Sequence, residues 1–179
     1  MIEIQKIDTI IRSHRCKDYR WFDPQSVVVS QWVRMKCTFG CTSYGQFASC
    51  PPNTPSIEEC QRFFSEYKRG IVFHFRKVAP EREARTAWSA KTNLALLKVE
   101  REVFLAGYPK AFLLFLDSCH LCPECTPRRS DCKQPKLSRP SVEGMAVDVF
   151  TTVRRIGYPI EVLTDTADMM NRYAFLLVE

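Results

Sequence analysis

The stretch Ala111-Phe112-Leu113-Leu114-Phe115-Leu116-Asp117 (AFLLFLD, 111–117) runs straight into Ser118-Cys119-His120-Leu121-Cys122-Pro123-Glu124-Cys125. A short unbroken apolar run has the length of a strand and the composition of one buried on both faces, so 111–117 reads as a central strand. The segment 118–140 carries no periodicity and is punctuated by cysteine and proline, so it reads as a loop springing from the strand's exit. Open α/β sheets place their sites at such exits.

Working outward, IVFHF (71–75), VVVSQWVRM (27–35), IEVL (160–163) and YAFLLV (173–178) are rich in β-branched and aromatic residues and read as further strands. The intervening segments have helical spacing. Ile2, Ile4, Ile7, Ile10 and Ile11 fit a short helix within the first 15 residues. Ser56 with Glu59 three residues later is a capping box opening a helix to about Lys68. The segment 81–107 is a long amphipathic pattern stopped by Gly107, and Ser141 is placed to cap a helix of 141–156 ended by Gly157. Strands alternating with helices predict one domain over 1–179: an α/β sandwich with a mixed sheet of about five strands and three to four helices.

The chain has 179 residues, 45% of them hydrophobic and 26% charged, which is the composition of a folded globular protein. At this size it needs no metal to hold its core, so a metal would serve chemistry. No apolar leader precedes the first helix and no run reaches about 18 apolar residues. The expectation is a cytoplasmic, reducing setting in which the nine cysteines are thiols or metal ligands. The net charge of +6 permits an anionic partner without requiring one.

Two cysteine-rich loops carry the chemistry. In the second, Cys119, Cys122 and Cys125 are separated by two adjacent two-residue gaps, with Cys132 after six more residues. This places three thiolates on one tight curl, the run with which bacterial ferredoxins hold a [4Fe–4S] cluster. Structural zinc instead uses two separate C-x2-C pairs, whereas here the pairs share Cys122. Zinc and unmetallated thiols are the rival readings, with His120 as a rival zinc ligand. The first loop, 36–55, holds Cys37, Cys41 and Cys50, the last followed by Pro51 and Pro52. If these three hold a second cluster, one iron lacks a cysteine, and water, another side chain, a partner or a substrate takes that corner. Cross-ligation, with Cys50 serving the second loop and Cys132 the first, is open at this level. Cys60, within a predicted helix, reads as a buried core residue, and Cys16 as a free thiol.

Three segments resemble an uncharacterised family of predicted metal-binding proteins found mainly in anaerobic bacteria and archaea: RMKCTFGCTSYGQFASCPPNTPSIEECQRFFSEYKRGIVF, EREVFLAGYPKAFLL, and CHLCPECTPRRSDCKQPKLSRPSVEGMAVDVFTTVRRIGYPIEVL. The resemblance spans about residues 30–165. It implies three metal-binding cysteines in the first loop, matching Cys37, Cys41 and Cys50, and four in the second, matching Cys119, Cys122, Cys125 and Cys132. Position 60 is usually not cysteine in the family, and Gly144-Met145-Ala146 departs mildly from its pattern. The family implies metal binding but no reaction.

Three roles are expected from these residues. The first is an electron-transfer protein whose basic cluster, Arg128, Arg129, Lys133, Lys136 and Arg139, steers an acidic redox partner. The second is an enzyme or maturation factor with an open-site cluster. The third is a zinc-stabilised binding module, for which no aromatic-and-basic stripe is present. Arg139-Pro140-Ser141-Val142-Glu143 would set a helix start beside the second loop. Tyr44 and Phe47 sit between the cysteines, where they can shield them from water. With only His14, His74 and His120, no histidine-based hydrolase is expected.

Overall fold

The computed structural model describes residues 3–179. Ile2, counted above in the first helix, lies outside the described residues. In chain order the elements are α1 (Ile4–Ser13), β1 (Tyr19–Phe22), α2 (Gln31–Gly40), α3 (Ile57–Ser65), β2 (Gly70–Lys77), α4 (Arg82–Leu105), β3 (Phe112–Leu114), α5 (Val149–Ile156) and β4 (Met170–Leu177), with short 3-10 turns at 24–26, 129–131 and 143–145.

The fold is mixed α/β, as expected, but its sheet has four strands in the order β1-β2-β4-β3 and every neighbouring pair is antiparallel. The expected mixed sheet is therefore corrected. β2 and β3 do run in the same direction with α4 crossing between them, as strand–helix–strand alternation implies. However, β4 inserts between the two and pairs antiparallel with both, from His74↔Tyr173 on one side to Leu113↔Leu176 on the other. Nothing local in 111–117 announces that a strand about sixty residues later takes the slot beside it.

The strand period of two divides the core. Ile71, Phe73, Leu113, Phe115, Ala174 and Leu176 face Ile7 and Ile11 of α1 and Leu96, Val99 and Val103 of α4. Val72, Leu114, Tyr173, Phe175 and Leu177 face Cys60 and Phe64 of α3 and Val149 and Val153 of α5. Burying each of the larger side chains contributes about 2–3 kcal/mol, so the sheet is held from both faces.

Several element boundaries depart from expectation. VVVSQWVRM is not a strand: Val29 makes one isolated bridge to Val147, and Ser30 precedes α2. Three β-branched residues are too few to propagate a strand, and Gln31 to Lys36 are mostly straight-chain residues suited to a helix. The first cysteine loop therefore leaves a helix, not a strand. IEVL pairs with nothing; Ile160 is buried, but 161–163 are exposed. β1 was not expected, being four residues between charged neighbours. Ser141 does not start the 141–156 helix. Its hydroxyl accepts from Gly144 N–H at 3.0 Å to close a 3-10 turn, and Asp148 caps α5 by accepting from Thr151 N–H at 2.9 Å. The Ser56–Glu59 capping box forms as expected, with both reciprocal bonds. Gly157 ends α5 with φ +91°, a conformation that favours glycine.

β3 is an edge strand rather than a central one, and this positions the site. Its outer side is covered by the chain returning from the second cysteine loop. Phe115 N–H donates to Pro140 O at 2.9 Å, and Val142 N–H donates to Phe115 O at 3.1 Å. The return protects the exposed edge and brings both ends of the loop to one place.

Candidate metal centre

The second loop is a closed excursion with fixed feet. Where it leaves β3, Leu116 N–H donates to Asn93 Oδ1 at 3.3 Å, and Asp117 Oδ2 accepts from Ser89 Oγ at 3.2 Å. Where it returns, Arg139 forms a two-pronged pair with Glu100 of α4, Nε to Oε1 at 3.0 Å and Nη2 to Oε2 at 2.9 Å. Glu100 is buried and also accepts from Leu113 N–H at 2.8 Å. Inside the loop, Arg129 donates to Ser138 Oγ and Pro135 O, each at 3.0 Å. Cys119, Cys122, Cys125 and Cys132 then line one small cavity of about 10 Å³, with Glu124, Lys133 and Ser138. That is about the space of a single water, so a larger group fits only as this exposed curl spreads.

The first loop lies against it. Cys37 sits in the last turn of α2, Cys41 ends that helix, and Cys50 comes after a run of turns. Arg34 holds the helix in place by donating from Nη2 to Pro55 O at 3.0 Å and Gly144 O at 3.2 Å. Cys37, Cys41 and Cys50 line a second cavity of about 160 Å³, together with Tyr44, Asp117, Ser118, Ser141 and Glu143. The loops touch directly. Ala48 N–H donates to Cys125 Sγ at 3.5 Å, the Cys50 thiol donates to Ser118 Oγ at 3.7 Å, and Asn53 Nδ2 donates to Pro127 O at 2.7 Å. Phe47 packs edge-on against His120, ring centroids 5.3 Å apart.

The electrostatics arise from crowding sulfurs out of water. Burial, then neighbouring Cys41, pushes the Cys37 thiol up. Burial pushes Cys50 up to about 11, with Cys37, Cys41 and Cys119 adding to it. Cys122 is raised by desolvation and then by Cys119, Cys125 and Cys132. Each thiolate opposes the next, and bound metal cations relieve that repulsion. Soft thiolate donors in these numbers fit iron–sulfur clusters or zinc and exclude a calcium- or magnesium-type site. Among the described residues, no three His, Cys, Asp or Glu side chains converge as ligands of a single ion. A lone tetrahedral ion would draw its sulfurs to about 3.8 Å from one another, given a metal–sulfur bond of about 2.3 Å. A cluster of several irons spreads them further.

The remaining sequence candidates separate. Cys60 is fully buried among α3 core residues, as expected, and Cys16 is buried beneath α1 with Ile7 and Ile11. His120 does not line the four-cysteine cavity; it faces a groove with Arg82 and Leu121. Of the basic cluster, Arg139 is neutralised by Glu100 and Arg129 is bonded within the loop, which leaves Arg128, Lys133 and Lys136 exposed. Sequence reasoning missed Asp117, Ser118 and Ser141 as cavity residues, and it treated Glu143 only as part of a helix start. A cleft of about 730 Å³ runs beside both loops, lined by Arg62, Phe63, Phe112 and Arg129 among others. Ser49 and Thr54 are among its residues, and the hydroxyls of both are buried without a hydrogen-bond partner.

With the two thiol-lined cavities defined, comparison with known families is decisive at one level. A family model described as "Predicted metal-binding protein (DUF2284)" matches residues 20–178. The chain belongs to this family. The match extends beyond the segments that carried the resemblance and takes in every strand but the first residue of β1. No curated protein and no solved structure matches the chain significantly. For this DUF2284 protein, metal binding is thus supported by family as well as by donor chemistry. Among the described residues, no helix is long and apolar enough to cross a membrane.

Proposed function

We propose that this protein is an iron–sulfur electron carrier. One [4Fe–4S] cluster would be held by Cys119, Cys122, Cys125 and Cys132, a second by Cys37, Cys41 and Cys50, and electrons would pass to a partner protein. The observation that carries the reading is the grouping of the thiols: four around one cavity and three around the next, with the two loops in hydrogen-bond contact. When bound, a thiolate-held cluster exchanges single electrons with little rearrangement.

This chain's own contribution is to hold, bury and insulate. The feet at Glu100–Arg139 and Phe115–Pro140 fix the second curl against the sheet. Ala48 N–H pointing at Cys125 Sγ is the kind of hydrogen bond to sulfur that raises a cluster's potential. Tyr44 lines the three-thiol cavity, and Phe47 of the first loop packs against His120 of the second. Arg128, Lys133 and Lys136 remain free to attract an acidic donor or acceptor, with a rate that falls as salt rises.

A second reading, an enzyme with an open iron, is favoured by the larger cavity and by the adjoining cleft. The test common to both is anaerobic purification with iron, sulfide and zinc counted per chain. About eight irons and eight sulfides are expected for two cubanes. Cys122→Ala should lose about half the iron, and Cys16→Ala none. Colourless protein with stoichiometric zinc, or Cys122→Ala with unchanged iron, rejects the assignment.

A further inference from the structure

The three-cysteine cavity is one thiolate short of a cubane's four corners, and its other polar groups differ in how far they are already engaged. Asp117 has both oxygens occupied, Oδ1 accepting from Ser118 N–H at 2.8 Å and Oδ2 from Ser89 Oγ at 3.2 Å. Ser141 Oγ is held by Gly144 N–H, and Ser118 Oγ receives the Cys50 thiol. Glu143 is different. It forms no ion pair among the described residues, although Asp117 and Arg172 are near enough for their charges to act on it, alongside its own backbone N–H and the Ser141 hydroxyl.

Glu143 also has no capping task. A capping box needs Glu three residues after the capping hydroxyl. Here the third residue after Ser141 is Gly144, and Glu143 is the second. Its backbone is nonetheless fixed tightly against the first loop. A Cβ on Gly144 would come within 3.3 Å of Ser141 Oγ and 3.8 Å of Ser49 O, and Arg34 of α2 donates to Gly144 O. The next turn residue but one, Ala146, is held at φ +59°. The carboxylate of the partly exposed Glu143 stands at the wall of the cavity that Cys37, Cys41 and Cys50 line, close enough to Cys37 for its charge to act on that thiol.

We propose that Glu143 is the fourth ligand of the first-loop cluster, its carboxylate binding the iron that Cys37, Cys41 and Cys50 leave without a thiolate. This rests on the iron–sulfur reading and decides between its two forms. A carboxylate-bound corner closes the cluster for electron transfer, whereas an open corner would leave it to a substrate. Oxygen is a harder donor than sulfur, so this iron is the one that differs from its neighbours.

The experiment uses full-length protein purified anaerobically with the Mössbauer-active iron isotope, comparing wild type, Glu143→Ala, Glu143→Cys and Cys37→Ala. The expected result is one iron site in wild type with the signature of oxygen ligation. Glu143→Ala should lose about one iron per chain and yield, on oxidation, the EPR signal of a three-iron cluster. Glu143→Cys should keep all its iron, with the distinct site converted to sulfur ligation. Signals of the second-loop cluster serve as the internal control for folding. Unchanged Mössbauer spectra in Glu143→Ala overturn the ligand assignment alone. Should that variant fail to fold, an unchanged spectrum in Glu143→Cys overturns it equally. If Cys37→Ala loses no iron, the first loop carries no cluster, and the underlying reading falls together with this assignment.

Discussion

At the scale of single residues, nine cysteines of one chemical type have been given different environments. Cys60 and Cys16 lie in apolar cores, where a thiol is a small hydrophobe. Cys41 is exposed, while Cys50 is half-buried with its thiol pushed up to about 11, chiefly by desolvation. A thiol with that value is almost wholly protonated at neutral pH, and only the thiolate is nucleophilic. In metal-stripped protein at pH 7, Cys50 should therefore alkylate about a hundred times more slowly than a free cysteine of ordinary pKa. The gap should narrow as pH is raised toward 11. Time-resolved mass spectrometry with iodoacetamide checks this, and rapid labelling of Cys50 at pH 7 contradicts it. A place inside a predicted helix and the family resemblance set Cys60 apart from the other cysteines, and isolation in the chain set Cys16 apart. The burial of Cys50 was out of reach of the sequence, because in a loop burial depends on what the chain brings alongside.

At the scale of elements, the second loop is held by two strand-edge hydrogen bonds and one buried ion pair. Glu100 on α4 serves Arg139 with both oxygens and Leu113 N–H with one of them. Removing it leaves a partly buried guanidinium and a buried N–H without partners. Glu100→Ala should cost about 3–5 kcal/mol of stability, read as a lower midpoint in urea unfolding. It should also loosen the cysteine curl, so that iron is lost faster to a chelator. Glu100→Gln, which keeps one acceptor for Leu113, should cost less. Equal stability of Glu100→Ala and wild type would contradict the anchoring role. The sequence placed Arg139 among partner-steering cations because a cation's partner 39 residues away leaves no local trace. The capping box at Ser56–Glu59, confined to four neighbouring residues, was legible at once.

For the whole molecule, the sheet's strand order sets the distance between the two sites. Because β4 fills the slot between β2 and β3, β3 is driven to the edge. Its loop is thereby placed against the turns beyond α2. Cys50 and Cys119 are near enough for one thiol's charge to act on the other. Two reduced clusters so placed should couple magnetically. The EPR spectrum of fully reduced protein should be broadened and complex, and Cys122→Ala should collapse it to the simple signal of an isolated cluster. A wild-type spectrum equal to the sum of two independent signals contradicts this adjacency.

Sequence by itself determined the mixed α/β class, the Ser56–Glu59 capping box, the grouping of seven cysteines into two clusters along the chain and the family to which they point. These are properties of spacing and local hydrogen bonding, complete within a few residues. Only the tertiary structure decided that the sheet is antiparallel, that α2 replaces a strand, that the two loops touch, and that Glu143 lines the three-thiol cavity. Each of those depends on contacts between segments distant in the chain. Their energy comes from burying shared surface, which no single segment possesses alone.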